Sequence, residues 1–247
     1  MALQGKTAIV TGGASGFGEG IVRRFAAEGA QVVIADLNFD AAVALAKEIG
    51  GGAIAAGTDV SDDADVGALA ALLGKRRIDI LVNNAGIGHL PQPLDKLSEA
   101  EFDRVWAVNV KSVYLTARHF VPAMKAAKSG AILNIASTGG VSPRPNLTWY
   151  NASKGWMISA TRAMAIELAR YGIRVNAINP VAGDTPLLAT FMGGSDTPEG
   201  RERILTTIPL GRLSTPFDIA AAAAFLCSDD AAMITGVALE VDGGRCL

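Results

Sequence analysis

At 247 residues, half of them apolar, the chain has ample length for a real core, in one large α/β domain or two small ones. A formal charge of -2 offers no basic face to nucleic acid or anionic lipid, and neither partner is expected. Two cysteines, Cys227 and Cys246, make no disulfide framework, and His89 and His119 have no metal-ligand spacing, so no metal is expected. The charged fraction, 19%, lies below the usual quarter or so, which points to surface buried against other subunits.

Short apolar runs alternate with helical patterns along the whole length. The runs fall at 7–10, 31–35, 53–56, 78–83, 131–136, 174–179 and 237–241; they are rich in Val and Ile and continuous rather than alternating. Strands buried on both faces read this way, which predicts a parallel sheet with helices on each side. Helices are predicted near 16–29, 39–49, 62–74, 99–127, 149–171 and 216–228. No internal repeat, low-complexity segment or linker interrupts the pattern, so residues 1–247 are expected to form one domain. The long break is 183–212, rich in Gly, Pro and Thr, and a loop of that length inside a domain is usually a functional lid. The longest apolar run, 219–227, is too short to span a bilayer, and the N-terminal residues lack the form of a signal peptide, so a soluble cytoplasmic protein is expected.

The first strand runs straight into Thr11-Gly12-Gly13-Ala14-Ser15-Gly16-Phe17-Gly18 and then a helix. Glycines 12, 16 and 18 let the backbone turn sharply and approach a pyrophosphate, which the N–H groups of the helix start then meet. Two neighbouring patterns lead elsewhere. Gly5-Lys6-Thr7 resembles the tail of a P-loop but lacks the preceding glycine and enters a strand, and Gly13-Ala14-Ser15-Gly16-Phe17 lacks the last glycine of a nucleophile elbow.

The second strand ends at Asp36, whose carboxylate suits the hydroxyls of an adenosine ribose; neither Leu37, Asn38 nor the glycine loop supplies a cation for a 2′-phosphate. Asp59 either caps the next helix, in competition with Ser61 and Asp62, or binds an adenine amino group. The fourth run breaks off in Asn83-Asn84-Ala85-Gly86, small enough to admit a ligand. Asn109, among Trp106, Val108, Val110 and Val113, needs a partner when buried, and either marks a bent helix holding a water or is a satisfied core residue.

Tyr150-Asn151-Ala152-Ser153-Lys154 places Tyr150 and Lys154 one turn apart on the same face of a predicted helix. An ammonium about 4 Å from a phenol, at an effective dielectric of about 20, favours the phenolate by roughly 4 kcal/mol and would bring its pKa from about 10 towards 7. Such a phenol is a poised base.

With the glycine loop, residues 83–86, Asn109, Ser137 and residues 150–154 all in this order, the sequence resembles the short-chain dehydrogenase/reductase family, essentially over its whole length; residues 234–244 resemble the family's last strand and tail. The resemblance implies a Rossmann-type, doubly wound sheet of seven parallel strands with helices on both faces. It implies an oxidoreductase passing a hydride between a nicotinamide and a secondary alcohol or ketone. Tyr150 would be the general acid/base, Ser137 the donor to the substrate oxygen, and Asn109 the holder of a water linking Lys154 to solvent. Lys154 would grip the nicotinamide ribose and lower the tyrosine pKa. NAD would lie against Gly12, Ser15, Gly16, Phe17, Gly18, Asp36, Asp59, Val60, Asn83, Ala85, Gly86, Tyr150, Lys154, Pro180, Val181, Gly183 and Thr185. A homotetramer is also implied.

Two positions depart from the family pattern: Phe17 stands where isoleucine or leucine is usual, and Val181, in Asn179-Pro180-Val181-Ala182-Gly183-Asp184-Thr185, stands where glycine is usual. Candidate substrate contacts are His89, Arg144, Trp149, Leu187, Leu188, Phe191 and Met192. Their apolar majority implies an uncharged substrate of moderate size, whereas Arg144 would meet either an acidic one or water. Two other readings compete. A 3-oxoacyl-carrier-protein reductase would normally need NADPH and cations that Asp36 and the glycine loop lack, and an inactive binding relative would not keep Asn109, Ser137, Tyr150 and Lys154 together.

Overall fold

In β1 (Thr7–Thr11), Ala8 and Val10 join one core and Ile9 the other, which is why its apolar run is unbroken. The computed structural model describes residues 1–247. The remaining strands are β2 (Gln31–Asp36), β3 (Ile54–Gly57), β4 (Ile80–Asn83), β5 (Gly130–Ile135), β6 (Ile173–Pro180) and β7 (Ala238–Val241). All seven pair in parallel in the order β3-β2-β1-β4-β5-β6-β7. The expected doubly wound α/β fold is therefore present, with its direction of winding reversing between β1 and β4.

One face is covered by α1 (Gly16–Ala27), α2 (Phe39–Ile49) and α9 (Pro216–Cys227), whose Ile21, Phe25, Leu45 and Ile219 pack with Val10, Val82 and Leu133. The other is covered by α3 (Asp63–Leu73), α5 (Ser112–Ala127) and α6 (Thr148–Leu168), which bring Leu69, Leu115, Met124 and Leu168 to Ile9, Leu81 and Ile132. Asp62 wins the competition to cap α3, accepting from Ala64 N at 2.7 Å and Asp65 N at 3.2 Å, because it stands directly before the first turn. A buried polar chain crosses the middle of the sheet. Thr116 Oγ1 donates to Asn83 Oδ1, Asn83 Nδ2 to Asn134 Oδ1, and Asn134 Nδ2 to Thr161 Oγ1, each at 2.8 Å.

Two long segments differ from expectation. The helix predicted over 99–127 is divided into α4 (Glu99–Trp106), a π-helical turn over Ala107–Lys111 and α5, so Asn109 does sit at a distortion. The segment 183–212 is no open loop: it holds α7 (Leu188–Phe191) and α8 (Pro198–Leu205) around a small core of Val181, Leu188, Ile204, Ile208 and Leu213. The start of α8 was signalled by Thr197 before Pro198, whose hydroxyl accepts from Gly200 N at 3.1 Å.

Candidate active site

The carboxyl ends of β1 and β4 meet where the winding reverses. Gly12, at φ 59°, lies so near the β4 loop that a Cβ there would stand 2.9 Å from Ala85 Cα. Asn84 locks this approach, its Nδ2 donating to the carbonyls of Thr11 and Gly12 at 2.9 Å. Thr11 Oγ1 accepts from the N–H groups of Asn84 and Ala85 at 3.0 and 3.1 Å. Ser15, the N-cap of α1, makes no side-chain capping bond, and Ser15, Gly16 and Phe17 line the cleft, so the uncapped start of α1 forms a cradle of the kind that suits an anion. Gly16, also at positive φ, faces Thr185 at 3.4 Å from the position of a Cβ.

The cleft that opens from this cradle has a volume of about 510 Å³. Of the expected cofactor contacts, Gly12, Ser15, Gly16, Phe17, Asp36, Asp59, Val60, Ala85, Gly86, Tyr150, Lys154, Pro180, Val181, Gly183 and Thr185 all line it. Asp36 is held at the far end, Oδ2 accepting from Ala14 N and Oδ1 from Asn38 N, both at 2.9 Å. Asp59 is not the helix cap; its Oδ1 accepts from Ser61 N and Oγ at 2.8 and 2.7 Å. Two expected contacts fall elsewhere. Asn83 is buried in the polar chain of the sheet, and its neighbour Asn84 takes the cleft-side position; Gly18 lies beneath the cradle, where a Cβ would come 1.9 Å from Gly12 O. The departures from the family pattern also fit: the Phe17 ring fills the space beside Gly183, and Val181 belongs to the small core shared with α7 and α8.

Next to the cradle stands a second group of residues. Gly140 packs so closely on α6 that a Cβ would be 2.8 Å from Gly155 N, and this contact carries the β5 loop, with Ser137, onto the helix bearing Tyr150. Ser137 Oγ accepts from Gly139 N at 3.0 Å, and Ser137 lines the same cleft as Tyr150. Lys154 is buried and donates from Nζ to Ile135 O at 2.9 Å. Asn109 is fully buried and does not reach the cleft: Oδ1 accepts from Ile87 N, and Nδ2 donates to Ile87 O and Ser153 Oγ. Its amide is engaged at both ends, so it clamps the loop after β4 to α6. Gly86 leaves room for this convergence, since a Cβ would lie 3.2 Å from Lys154 Nζ and 3.4 Å from Asn109 Oδ1.

Burial raises the Tyr150 phenol above its ordinary value, with the nearby Ser137 hydroxyl and the Arg144 charge pulling the other way. Lys154 Nζ lies 6.0 Å from the centroid of the Tyr150 ring and is engaged with Ile135 O, and burial brings its own ammonium down to about 8. Spacing along a helix fixes proximity but not desolvation.

Of the candidate substrate contacts, Arg144, Leu187, Leu188 and Phe191 line the cleft. Trp149 does not, donating instead to Leu94 O at 3.0 Å with its ring edge-on to Phe102; Met192 packs on the small core shared with α7 and α8. His89 is buried, with Nδ1 on Leu90 O at 2.8 Å. Leu147, Asn151 and Thr190 line the cleft without having been singled out, and nothing local in the sequence marks them.

The family model described as enoyl-(acyl carrier protein) reductase matches residues 12–245. This chain belongs to the short-chain dehydrogenase/reductase family. It is 50% identical over 250 residues to 4-formylbenzenesulfonate dehydrogenase of Comamonas testosteroni, across 99% of each chain. It is 40% identical over 253 residues to 3beta-hydroxysteroid dehydrogenase 1 of Eggerthella lenta, covering 99% of this chain and 95% of that one. Among solved structures, 3-ketoacyl-(acyl-carrier-protein) reductase from Brucella melitensis complexed with NADH superposes with a TM-score of 0.93 at 53% identity, over 99% of this chain and 100% of that one. No helix of this family member is long and apolar enough to cross a membrane.

Proposed function

We propose that the protein is an NAD-dependent oxidoreductase that interconverts a secondary alcohol and a ketone, with Tyr150 as the proton carrier. The observation that carries this is the convergence of Ser137, Tyr150 and Lys154 in the same cleft as the glycine cradle and Asp36. The cradle fits a dinucleotide: two glycines at positive φ, free N–H groups at a helix start and an acidic residue at the far end are what a pyrophosphate and a ribose require. Gly12, Ser15 and Gly16 would hold the phosphates, Asp36 the adenosine ribose, and Lys154 the nicotinamide ribose. When bound, the nicotinamide supplies the hydride acceptor or donor.

The chain's own residues then handle the proton and the oxygen. Ser137 donates to the substrate oxygen and fixes it beside the phenol. In the reductive direction the Tyr150 O–H gives its proton to the carbonyl oxygen as that oxygen gains charge; in the oxidative direction the phenolate takes the hydroxyl proton. Lys154, a cation on the same wall, favours the phenolate once it forms. Because burial raises the phenol's pKa, the protein keeps Tyr150 protonated at neutral pH, the state that reduction needs.

The relatives' names support chemistry at a carbonyl or carbinol carbon, on an aryl aldehyde bearing a sulfonate, a steroid alcohol and a 3-ketoacyl thioester. The last favours a second reading, a 3-ketoacyl-carrier-protein reductase. Asp36 does not separate the two readings, since that relative was solved with NADH. An absorbance assay of NADH and NADPH consumption over ketones and a 3-ketoacyl thioester tests both, with Tyr150→Phe as control. Turnover of simple ketones with NADH, lost by more than about 1000-fold in Tyr150→Phe, supports the first. Thioester turnover alone moves the assignment to the second, and a Tyr150→Phe protein that keeps a tenth of the rate overturns both.

A homotetramer is part of the same proposal. The large apolar residues left exposed on α5, α6 and α9, among them Tyr114, Ile166, Phe217 and Phe225, suit faces that pair with copies of the chain. Light scattering that gave a monomer at micromolar concentration would reject it.

A further inference from the structure

One strong charge in the cleft is unused by this chemistry. Arg144 lines the wall beside Leu147 and Tyr150, and its guanidinium makes neither a hydrogen bond nor an ion pair within the protein. Its place is fixed all the same, because its backbone carbonyl accepts from Asn151 Nδ2, next to Tyr150, at 2.8 Å.

A second guanidinium acts on it from the C-terminal tail. Arg245 reaches Ser142 Oγ through Nη1 at 3.4 Å, and its Nε is buried with no partner. The nearby carboxylate is occupied: Asp242 folds the tail back by accepting from Gly244 N and Cys246 N at 2.9 and 2.8 Å. The charge on Arg245 acts on Arg144, against which Tyr150 and Cys246 are the acidic groups within range, and both stay protonated at neutral pH, Tyr150 through burial and the partly exposed Cys246 through desolvation and its neighbour Asp242. Other arginines are handled differently. Arg23 and Arg212 face carboxylates, and Arg174 is bound to three backbone carbonyls. Two guanidiniums on one partly buried wall, neither ion-paired with a carboxylate, are better accommodated when an anion joins them.

We propose that Arg144, backed by Arg245, is the subsite for an oxyanion on the substrate, so that the preferred substrates are alcohols or ketones bearing a carboxylate or sulfonate. A guanidinium presents paired N–H donors that match either group, and a desolvated wall strengthens the contact. Leu147, Leu187 and Phe191 line the space between and suit an apolar ring or chain joining the anion to the reacting carbon. The subsite rests on the oxidoreductase reading and departs from the uncharged substrate that the lid residues alone suggested.

Three ketones of one skeleton test it with NADH: 4-acetylbenzoate, 4-acetylbenzenesulfonate and methyl 4-acetylbenzoate. At least one of the acids should exceed the ester in kcat/KM by about 10-fold or more, and which acid leads identifies the oxyanion. In Arg144→Gln the acid-to-ester ratio should fall by about 10- to 100-fold, mainly through KM, with Arg144→Lys intermediate and Arg245→Gln smaller in effect. The ratio cancels any influence of Arg144 on Tyr150 ionisation, which touches acid and ester alike. Equal kcat/KM for acids and ester, or a ratio unmoved in Arg144→Gln, overturns the subsite and leaves the oxidoreductase reading standing. An equal loss of NADH affinity in Arg144→Gln places the anion on the cofactor and also overturns it. If no ketone is turned over, calorimetry of the same ligands on NADH-loaded protein decides: acid binding that depends on Arg144 keeps the subsite and removes the oxidoreductase reading, and binding that ignores Arg144 removes the subsite.

Discussion

The ring of Phe191, carried by α7 of the segment 183–212, lies 4.9 Å from the ring of Tyr150 and is tilted 55° to it. That segment thus provides part of the burial that raises the phenol's pKa. Phe191→Ala should admit water to Tyr150. Desolvation disfavours the phenolate, so relief of it lowers the pKa, and the rise of alcohol oxidation with pH should move to lower pH. KM for apolar ketones should rise about 10-fold through the lost ring contact. A pH–rate profile of the variant checks the direction, and an unchanged midpoint would show that this segment is not what keeps the phenol dry.

Lys154 is a cost to the fold. Burial brings its ammonium from 10.5 to about 8, so between those values the unfolded chain holds a proton that the folded chain has lost. Stability therefore rises with pH across that window, and below pH 8 the full penalty is present. The gap is worth about 3 kcal/mol, from which a methionine replacement must subtract roughly 1–3 kcal/mol for the carbonyl of Ile135 left unpaired. Lys154→Met should lose activity yet match or exceed the parent in stability at pH 7, by up to about 2 kcal/mol, with the advantage shrinking towards pH 10. Urea unfolding at pH 7 and pH 9.5 measures this.

Asp36 bears on the choice of nucleotide. A carboxylate that holds two ribose hydroxyls repels a 2′-phosphate carrying nearly two negative charges, so Asp36→Ala should narrow the ratio of kcat/KM for NAD over NADP by about 10-fold or more. Equal efficiency with both nucleotides in the parent would refute the role.

Phe17 and Gly183 are matched. A Cβ at position 183 would stand 2.2 Å from Phe17 Cζ, an overlap that the ring must leave its place to relieve. Gly183→Ala should cost about 1–3 kcal/mol and weaken cofactor binding, and the added change Phe17→Leu, with its shorter side chain, should recover most of the loss. Thermal unfolding of the two single variants and the double variant gives the coupling.

The strands, their parallel pairing and the glycine loop were legible because each is a local pattern: unbroken Val/Ile runs, then Thr11 to Gly18 entering a helix. Tyr150 and Lys154 were legible as neighbours for the same reason. Their electrostatic relation was not, since the direction of Nζ and the dryness of the phenol depend on Ile135 and on a segment remote in sequence. That segment was read as a loop because α7 is four residues long and too short to show a helical period. Asn83 and Asn84 are adjacent and chemically identical, so which of them faces the cleft depended on a partner, Asn134, on another strand. The approach of Arg245 to Arg144 is likewise a product of how the tail folds back, which no spacing announces.

The asparagine pair has a consequence for how the sheet finds its alignment. Along β4 and β5 the other paired residues are Ile80 with Ala131, Leu81 with Ile132 and Val82 with Leu133, aliphatic rungs that would be almost as content if one strand slid past the other. Asn83 opposite Asn134 is the rung that cannot be misread. Sliding by one residue would turn one of the amides to the wrong face, and sliding by two would set both against hydrocarbon, with Thr116 and Thr161 stranded as well. At roughly 1–3 kcal/mol for each polar group so orphaned, a mispaired strand would forfeit a large share of a typical domain's stability. The amides act as punctuation in an otherwise repetitive text, so Asn83→Val would be expected to fold into more than one alignment before it failed to fold at all.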